Sequence, residues 1–477
     1  MKVLHIGFGF RPLRVGGLIE YAEDLMQEQV KRGYDVYYFC AGRHYPVIKR
    51  PFVKQWKRCG VTIFEVVNVP IFHGGDMGSF FDLESSEVER IFIRIIDKVR
   101  PDVIHIQELA GLPSSLIEII VMKGIPCVMT LQDYHLLCPT LKLLDFQKTI
   151  CMDSDPATKC ARCIKVNPKQ VRSKLIWNTL VYHIREYPCI YKVGRFVKRY
   201  IEKIRLAKNS HWNISFNVNQ EKCVESANSF VNFFRQRRQV NISRLQKIDL
   251  LIAQSRRVEQ IYQQLARVEK IRTIHLTVGH IANIKPKIIN VGSDAVLKFA
   301  TINGFATEAK GAYVLLDAVK KLNAMGYGKK FELYVLGGVM PQLKPVLSRL
   351  NNLHQIGTFD VKELDQLLNP VHVGIIPSIW EEAFGYVGIE FLAKGIPVIG
   401  NARGGIVDYV LPGMTGWLNQ RGDSDGLVEI MQSLIVNPSQ VEDMNKAILA
   451  NRSTVIKTMA QHVEEIEIVY HELLSNR

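Results

Sequence analysis

The strongest constraint in this sequence is an alternation of apolar strand candidates with amphipathic helical stretches, which runs along most of the chain. In the first part its elements are strands at 3–6, 36–39, 61–67, 103–106 and 127–131 and helices at 18–32 and 86–99. Strands and helices in this order build a parallel sheet that carries helices on both faces. We therefore predict a doubly wound α/β domain.

The same alternation starts again near residue 250. Its elements are strands at 250–253, 297–301, 331–336, 371–377 and 397–399 and helices at 312–325 and 387–394. Because 477 residues exceed the usual size of one domain, we predict a second α/β unit of the same kind. Two such domains enclose a cleft at the carboxyl ends of their strands, where ligands of open α/β sheets bind.

We expect three parts along the chain. They are an N-terminal Rossmann-like domain at 1–285, a C-terminal Rossmann-like domain at 286–455 and a final helix at 456–477 that packs back toward the N-terminal domain. The stretch 279–292 is rich in turn residues and lacks periodicity, which predicts a linker. The last helical pattern, 439–474, is long enough to pack across both domains.

The composition is typical of a globular protein, with 47% hydrophobic and 22% charged residues. No small-residue cleavage site follows the short apolar start of the chain, so we predict no secretory signal. The best apolar stretch, 116–130, is interrupted by Glu118, Lys123 and Pro126, which makes it too broken to span a bilayer. These observations predict a cytoplasmic protein.

Positive charge is concentrated in a basic insert at 165–247, which holds 18 Lys and Arg against four Glu and nearly all of the net charge of +15. Between residues 190 and 205, apolar side chains fall on one helical face and Lys and Arg populate the rest. Such a helix suits the anionic inner face of a membrane, and it equally suits packing on the N-terminal domain with a solvated basic rim. Nucleic acid is not expected as a partner, because the aromatic residues form no stacking platform.

The segment 377–390 carries the most chemical information. It follows a strand candidate and opens a helix whose first backbone amides form a positive end suited to a diphosphate. The residues at this helix start are Phe384, Gly385, Tyr386 and Val387. A carboxylate accepts two hydroxyl hydrogen bonds, which suits Glu390 in the helix to a ribose and Glu382 on the loop to a donor sugar. An acidic cap with a surface glutamate would give the same pattern.

Together with the elements that follow it, this segment resembles glycosyltransferase family 4. The E-x7-E signature of that family looks like Glu382 to Glu390, and the stretches 395–399 and 403–416 resemble its next elements in the same order. The resemblance covers almost the whole chain except the basic insert. It implies a GT-B fold of two Rossmann-like domains around a central cleft, retention of the anomeric configuration and no cofactor or metal for catalysis.

The resemblance extends to further positions. Lys310 matches the family's lysine that contacts the donor phosphates, and a lysine suits this role as a point charge against a leaving diphosphate. Gly16 and Gly17 match the glycine loop that faces the phosphates and the acceptor. Gln132 stands where the family carries a histidine that touches the donor sugar, and Phe305 stands where it often carries an arginine.

Four of the nine cysteines cluster in a Cys-rich loop at 138–163. They are Cys138, Cys151, Cys160 and Cys163. A C-x2-C pair with two upstream thiols can satisfy a tetrahedral zinc ion, and reduced, partly buried thiols would show the same spacing. A structural zinc site and free thiols are therefore the two alternatives at this loop.

The resemblance therefore implies a retaining hexosyltransferase that uses a nucleotide-sugar donor and a glycan or lipid-linked acceptor in polysaccharide biosynthesis. Its predicted catalytic residues are Glu382, Gln132 and Lys310. Gly16, Gly17, Lys310 and Glu390 would bind the donor nucleotide together with the helix start at 384–387. The departures at Gln132 and Phe305 leave one alternative, a non-catalytic GT-B-like protein that binds a sugar or a nucleotide.

Overall fold

The computed structural model describes residues 1–48, 50–73, 79–80, 82–164, 168–185, 223–292 and 296–475. These residues form two α/β domains, each built on its own sheet. The central strands are apolar along nearly their whole length because both faces of each sheet are covered by helices. The prediction of two doubly wound units is confirmed.

The N-terminal domain contains an eight-stranded sheet in the order β10-β9-β8-β7-β1-β2-β4-β3, in which every pair is parallel except β3 with β4. In chain order the strands of this part are β1 (Lys2–Gly7), β2 (Asp35–Ala41), β3 (Phe52–Arg58), β4 (Val61–Val67), β5 (Phe72–His73), β6 (Ser79–Phe80), β7 (Val103–Ile106), β8 (Cys127–Leu131), β9 (Leu250–Ala253) and β10 (Ile271–Thr273). β5 and β6 pair separately and antiparallel. The helices are α1 (Gly17–Lys31), α2 (Ser86–Val99), α3 (Leu116–Met122), α4 (Ala157–Cys163), α5 (Pro168–Arg185), α6 (Cys223–Leu245) and α7 (Arg256–Ala266).

The C-terminal domain contains a fully parallel six-stranded sheet in the order β13-β12-β11-β14-β15-β16. Its strands are β11 (Leu297–Ile302), β12 (Phe331–Leu336), β13 (Leu353–Gly357), β14 (Val373–Ile376), β15 (Val398–Asn401) and β16 (Gly416–Asn419). Its α-helices are α8 (Ala312–Ala324), α9 (Lys344–Leu347), α10 (Leu364–Leu367), α11 (Val387–Ala393), α12 (Ile406–Tyr409) and α13 (Ser424–Val436). The strand order reverses between β11 and β14, and such a switch point leaves a crevice at the carboxyl ends of the strands.

One strand of the predicted second alternation belongs to the first sheet. β9 pairs in parallel with β8, so it extends the N-terminal sheet before the chain crosses to the C-terminal domain. A pattern of apolar residues identifies a buried strand but does not state which sheet it joins. The connection between the two sheets, residues 274–292, is called the crossing segment here and includes a 3₁₀ turn at Gly279–Asn283. Three of its side chains, Leu276, Val278 and Ile281, are buried in the apolar core.

The last helical pattern is divided into three helices, α14 (Ser439–Ala450), α15 (Arg452–Val455) and α16 (Met459–Ser475). α16 lies against α1 of the N-terminal domain. The Tyr21 hydroxyl is 2.8 Å from Nε2 of His462, and Arg32 donates to Glu467 at 2.8 Å. Deeper in the core, the Tyr470 hydroxyl accepts from Gln29.

Part of the basic insert is integral to the N-terminal domain rather than a surface feature. Arg237 and Arg244 of α6 are only 1% and 2% exposed. Arg237 pairs with Asp82 at 2.6 Å, and Arg244 pairs with Glu118 at 3.0 Å. The amphipathic stretch 190–205 lies outside the described residues. Within the described ranges, no helix has the length and apolar content needed to cross a bilayer.

The contact between α16 and the N-terminal core gives a test of the fold. The Tyr470 hydroxyl is 2.5 Å from Nδ1 of His105, whose Nε2 is 2.7 Å from the Thr130 hydroxyl. Tyr470→Phe removes the partner of a buried imidazole nitrogen, so we expect a loss of about 1–3 kcal/mol in unfolding free energy. Denaturant unfolding measures it, with Tyr313→Phe as the control because Tyr313 is 45% exposed. Equal stability of the two variants would contradict the assigned role of this contact.

Candidate functional site

The candidate site lies at the switch point of the C-terminal sheet. β11 and β14 are neighbours there, and the loops that follow them carry Lys310 and the acidic segment 377–386. Since both loops leave the sheet at its carboxyl edge, Lys310 and Glu382 meet in one place although they are 72 positions apart in the sequence. The structure therefore brings two of the predicted donor-site elements together.

Lys310 and Glu382 form the central contact of this site. Nζ of Lys310 donates to Oε1 of Glu382 at 2.6 Å, and the Ser378 hydroxyl donates to the same oxygen at 2.7 Å. Burial opposes ionisation of Glu382, but the charge and hydrogen bonds of Lys310 and Ser378 outweigh it and hold the pKa of the carboxyl below its ordinary value. The site thus presents an anionic carboxylate beside a lysine that is 34% exposed and within reach of a ligand.

Two glycines allow these loops to touch. Gly311 has φ of 84°, and a Cβ there would lie 1.8 Å from the carbonyl oxygen of Pro377. Gly404 has φ of 53°, and its Cβ would lie 2.0 Å from the carbonyl oxygen of Glu382. Both positions combine a left-handed backbone with a close approach of main chains, which only glycine satisfies. The glycines that resemble family elements in the sequence therefore set the position of Glu382.

Glu390 lies inside α11 and is buried, with its carboxylate facing a histidine that belongs to no sequence motif. Nε2 of His280 is 2.7 Å from Oε1 of Glu390, and Nδ1 of His280 is 3.4 Å from Oε1 of Glu20 in α1. Burial raises the pKa of Glu390 above its ordinary value, and His280 counteracts that shift. The structure thus joins Glu390 to the N-terminal domain through His280.

The glycine loop of the N-terminal domain approaches the start of α11. A Cβ on Gly17 would lie 2.1 Å from the Tyr386 ring, so the side chain of Tyr386 occupies the space that any larger residue at 17 would need. Gly16 has φ of 144° and is exposed. Gly385 has φ of 76°, and its carbonyl accepts from the Tyr409 hydroxyl at 2.8 Å. Phe384 is buried and Val387 is partly buried at the helix start.

Gln132 lies at the strand ends of the N-terminal sheet, in a row of three carboxamides. Its Nε2 donates to Gln107 at 3.1 Å, and its Oε1 accepts from Gln254 at 3.1 Å. These three residues follow β8, β7 and β9, which are adjacent in the sheet. The row fixes the orientation of the Gln132 amide, which remains partly exposed.

A pair of carboxyl groups lies beside this row, and sequence reasoning missed it. Glu108, which is buried, and Asp133, which is partly exposed, directly follow Gln107 and Gln132 and lie close enough for their charges to interact. Burial raises both pKa values, that of Asp133 to about 6, and the nearby Asp133 charge raises that of Glu108 further. Two neighbouring carboxyl groups, one of them buried, are costly to charge together, so the pair retains a proton. A single acid shortly after each of two strands is too common a pattern to reveal this pairing.

Two further contacts were absent from the sequence analysis. Arg257 of α7 pairs with Glu381 at 2.8 Å, so an N-terminal helix contacts the acidic loop of the C-terminal domain directly. Lys142 of the Cys-rich loop and Lys310 both lie over the Trp380 ring, at 5.8 Å and 5.7 Å from its centroid. Phe305, in contrast, is fully buried in the apolar core and presents no group to the cleft.

The four cysteines of the loop at 138–163 are free thiols in this structure. Across the described residues, no group of three or more His, Cys, Asp or Glu side chains is arranged to hold a metal ion. The zinc prediction is therefore unsupported. Instead, Cys160 packs against Phe234 of α6, and Cys138 Sγ is 3.2 Å from the Thr140 hydroxyl. Burial raises the pKa of Cys163 to about 11, which keeps that thiol protonated.

Comparison with known proteins agrees with this geometry. Residues 297–437 match the family model described as glycosyl transferases group 1. The chain is 28% identical over 193 residues to lipopolysaccharide 1,2-N-acetylglucosaminetransferase of Salmonella typhimurium, which covers 37% of this chain and 49% of that protein. It is 26% identical over 166 residues to the amylovoran biosynthesis glycosyltransferase AmsK of Erwinia amylovora, which covers 33% and 40%. The chain thus spans half or less of the length of these relatives.

Solved structures match over the full length. Sucrose-phosphate synthase from Thermosynechococcus elongatus superposes with a TM-score of 0.59 at 15% identity, covering 100% of both chains. HepE from Anabaena, solved in complex with UDP-glucose, superposes with a TM-score of 0.54 at 13% identity, covering 100% of both chains. The chain has the GT-B fold. Together with the family match, these relatives support a glycosyltransferase.

The close approach of the two GT-B loops gives a first test of the site. Gly311→Ala should destabilise the C-terminal domain strongly and displace Lys310, because its Cβ would overlap the main chain of Pro377. Gly326→Ala is the matched control: its φ is 90°, but nothing lies within 4 Å of the added Cβ, so about 1–2 kcal/mol of backbone strain is expected. Thermal unfolding compares the two variants. Equal losses of stability would mean that the Gly311 contact is not required.

The carboxyl pair gives a second test, through pH. The pKa of Asp133 is raised to about 6 from an ordinary value near 3.9, so the folded state binds its proton more tightly than the unfolded state. That contribution to stability is complete below about pH 3.9 and is lost as pH rises through about 6. Asp133→Asn should therefore flatten the stability profile between pH 4 and 7 and raise the melting temperature at pH 7 relative to the parent. Parallel profiles for the two proteins would contradict the shared proton.

Proposed function

We propose that this chain is a retaining glycosyltransferase that moves a sugar from a nucleotide-sugar to a lipid-linked or polysaccharide acceptor in cell-envelope glycan synthesis. The observation that carries the proposal is the Lys310–Glu382 contact at the switch point, with Glu390 on the helix that follows. A cation for a diphosphate and two carboxylates for hydroxyl groups then line one crevice. The names of the relatives, which include lipopolysaccharide and amylovoran enzymes, agree with such an acceptor.

The donor is placed by charge and by hydroxyl recognition. Lys310 offers its exposed ammonium group to the diphosphate, near the start of α11 at Phe384 and Gly385. Glu382 and Gln132 then lie around the sugar, and Glu390 accepts from the ribose hydroxyls. Nucleotide-sugar binding of this kind agrees with the UDP-glucose complex of HepE, whose fold this chain shares.

The reaction needs a leaving group that departs as an anion. The bond between the sugar C1 and the phosphate oxygen breaks with its electrons going to the phosphate, and Lys310 stabilises the charge that develops there. The acceptor hydroxyl attacks C1 on the same face, through an oxocarbenium-like state, and its proton passes to the departing phosphate oxygen. The anomeric configuration is thereby retained. A second carboxylate about 5 Å away, as double-displacement glycosidases use, is not part of this route.

The proposal also includes where in the cell the enzyme acts. A peripheral position on the inner face of a membrane would bring the site to a lipid-linked acceptor. It rests on the amphipathic stretch 190–205 and on the charge of the basic insert, and it stays a prediction from the sequence. Arg237 and Arg244 of that insert are already paired inside the N-terminal domain, so they are excluded from such a surface.

Substitutions of Glu390 and Glu382 are expected to affect different quantities, nucleotide affinity for the first and turnover for the second. Glu390→Ala removes a ribose anchor, so free nucleoside diphosphate should bind more weakly by about 1.5–3 kcal/mol. Glu382→Gln keeps the size of the side chain and acts at the sugar, so nucleotide affinity should change little while turnover falls steeply. Calorimetry with UDP, GDP and ADP beside a turnover assay measures both effects.

The donor itself is identified by thermal stabilisation with UDP-, GDP- and ADP-sugars. A donor hydrolysis assay separates the enzyme from a non-catalytic GT-B-like binding protein, which would be stabilised without turnover. Normal turnover of Glu382→Gln, or parental nucleotide affinity of Glu390→Ala, would contradict the roles assigned to these two residues.

A further inference from the structure

His280 occupies a position between the two domains that no part of the proposed reaction yet uses. It lies in the 3₁₀ turn Gly279–Asn283 of the crossing segment, and its side chain is only 10% exposed. One ring nitrogen contacts Glu390 in α11 at 2.7 Å, and the other faces Glu20 in the first turn of α1 at 3.4 Å. The turn is fastened to α1 by the Gly279 amide, which donates to Asp24 at 2.7 Å.

The groups around His280 make it a cation. Glu20 and Asp24 face it from α1, and Glu390 faces it from α11. The rings of His280 and Tyr386 meet edge to face, with 6.5 Å between their centroids. Two further charged groups lie near Glu20: Arg11, whose Nη1 is 3.5 Å from Oε1 of Glu20, and Asp360. Burial lowers the pKa of His280, but the neighbouring carboxylates of Glu20 and Glu390 raise it to about 9. The imidazole is therefore protonated at neutral pH.

This cation opposes the protonation of Glu390 that burial favours. Burial alone would favour the protonated acid, which accepts hydroxyl hydrogen bonds poorly, whereas His280 favours the anion. Only one oxygen of Glu390 is engaged, because Nε2 of His280 contacts Oε1 and the described residues donate no hydrogen bond to Oε2. One carboxylate oxygen is thus fixed in place while the second is left to a ligand.

We propose that His280 is a positioning residue for the donor nucleotide: its contact fixes the Glu390 carboxylate in place for the ribose hydroxyls, and it ties that carboxylate to Glu20 of the glycine-loop helix. The inference rests on the proposed function, since it assigns the ribose to Glu390. Its consequence is that nucleotide affinity depends on a residue that touches no ligand atom and on a helix of the opposite domain.

The test is calorimetry of the full chain with UDP, GDP and ADP. For whichever nucleotide the parent binds, His280→Gln should weaken binding by about tenfold or more, the effect of losing one charge-assisted hydrogen bond. Arg32→Ala is the matched control, because Arg32 lies directly after helix α1 and pairs with Glu467 at 2.8 Å without contact to Glu390. Its nucleotide affinity should equal that of the parent, and thermal unfolding checks that both variants are folded.

A pH series gives a readout that a purely structural role would not move. Because the pKa of His280 is about 9, its hydrogen bond with Glu390 loses the imidazolium charge as pH rises through that value, so parental affinity should fall there, and the affinity of His280→Gln should not. Comparing both proteins with one nucleotide cancels any titration of the ligand. Glu20→Gln removes one of the charges that hold the proton on His280, so it should move the fall in affinity to lower pH.

Parental affinity in His280→Gln, or the same pH dependence in both proteins, would overturn this inference while leaving the proposed function intact. If the parent bound none of the three nucleotides, the proposed function and the inference would fall together. The series in the parent remains decisive even if His280→Gln fails to fold, since a parental affinity that stays level through pH 9 contradicts a role for the charged imidazole.

Discussion

The site depends on the contact between two loops that leave neighbouring strands at the centre of the C-terminal sheet. Gly311 lets the first loop approach the carbonyl of Pro377, and this approach places Lys310 within 2.6 Å of Glu382. Gly404 packs against the second loop, and its amide donates a hydrogen bond to the Glu381 carboxylate at 2.7 Å. The two glycines therefore allow the loop contact that fixes the distance between Lys310 and Glu382.

Polar contacts connect the two walls of the cleft. Each of three acidic side chains on the C-terminal side contacts an arginine or a histidine from the N-terminal domain or from the crossing segment. These pairs are Glu381 with Arg257, Asp408 with His275 and Glu390 with His280. Because the paired carboxylates lie on or next to the donor-site elements, the relative position of the domains and the electrostatics of the site are set by the same residues.

The parts of this protein that repeat a local pattern were predictable from the sequence, and the parts made by distant residues were not. β4, β7, β8 and β12 fall on their expected bounds, since a buried parallel strand is a continuous apolar run. β3 was missed because most of its side chains face solvent and it pairs antiparallel at the sheet edge. The assignment of β9 to the first sheet could not be read from its own residues.

The same distinction holds in the site. Glu382, Glu390 and Lys310 were selectable because each belongs to a local motif with a chemical meaning. His280 and Arg257 belong to no motif, and their roles arise from the packing of the crossing segment and of α7 against the other domain. For the cysteines the spacing suits a zinc ion, but the described residues contain no group of three or more His, Cys, Asp or Glu that could hold one, so the zinc site stays unsupported.

The Lys310–Glu382 pair is better explained by a ligand than by the fold. An ion pair with one buried and one partly exposed member contributes little net stability, because desolvation of the buried charge offsets much of the attraction. Apolar residues of similar volume would pack this crevice at least as well. Phe305 shows that the fold accepts such a residue nearby, since it is fully buried where glycosyltransferase family 4, which the sequence resembles, often has an arginine. Under the proposed function, the charge that stabilises a leaving diphosphate would come mainly from Lys310, whose side chain is one-third exposed beside Trp380.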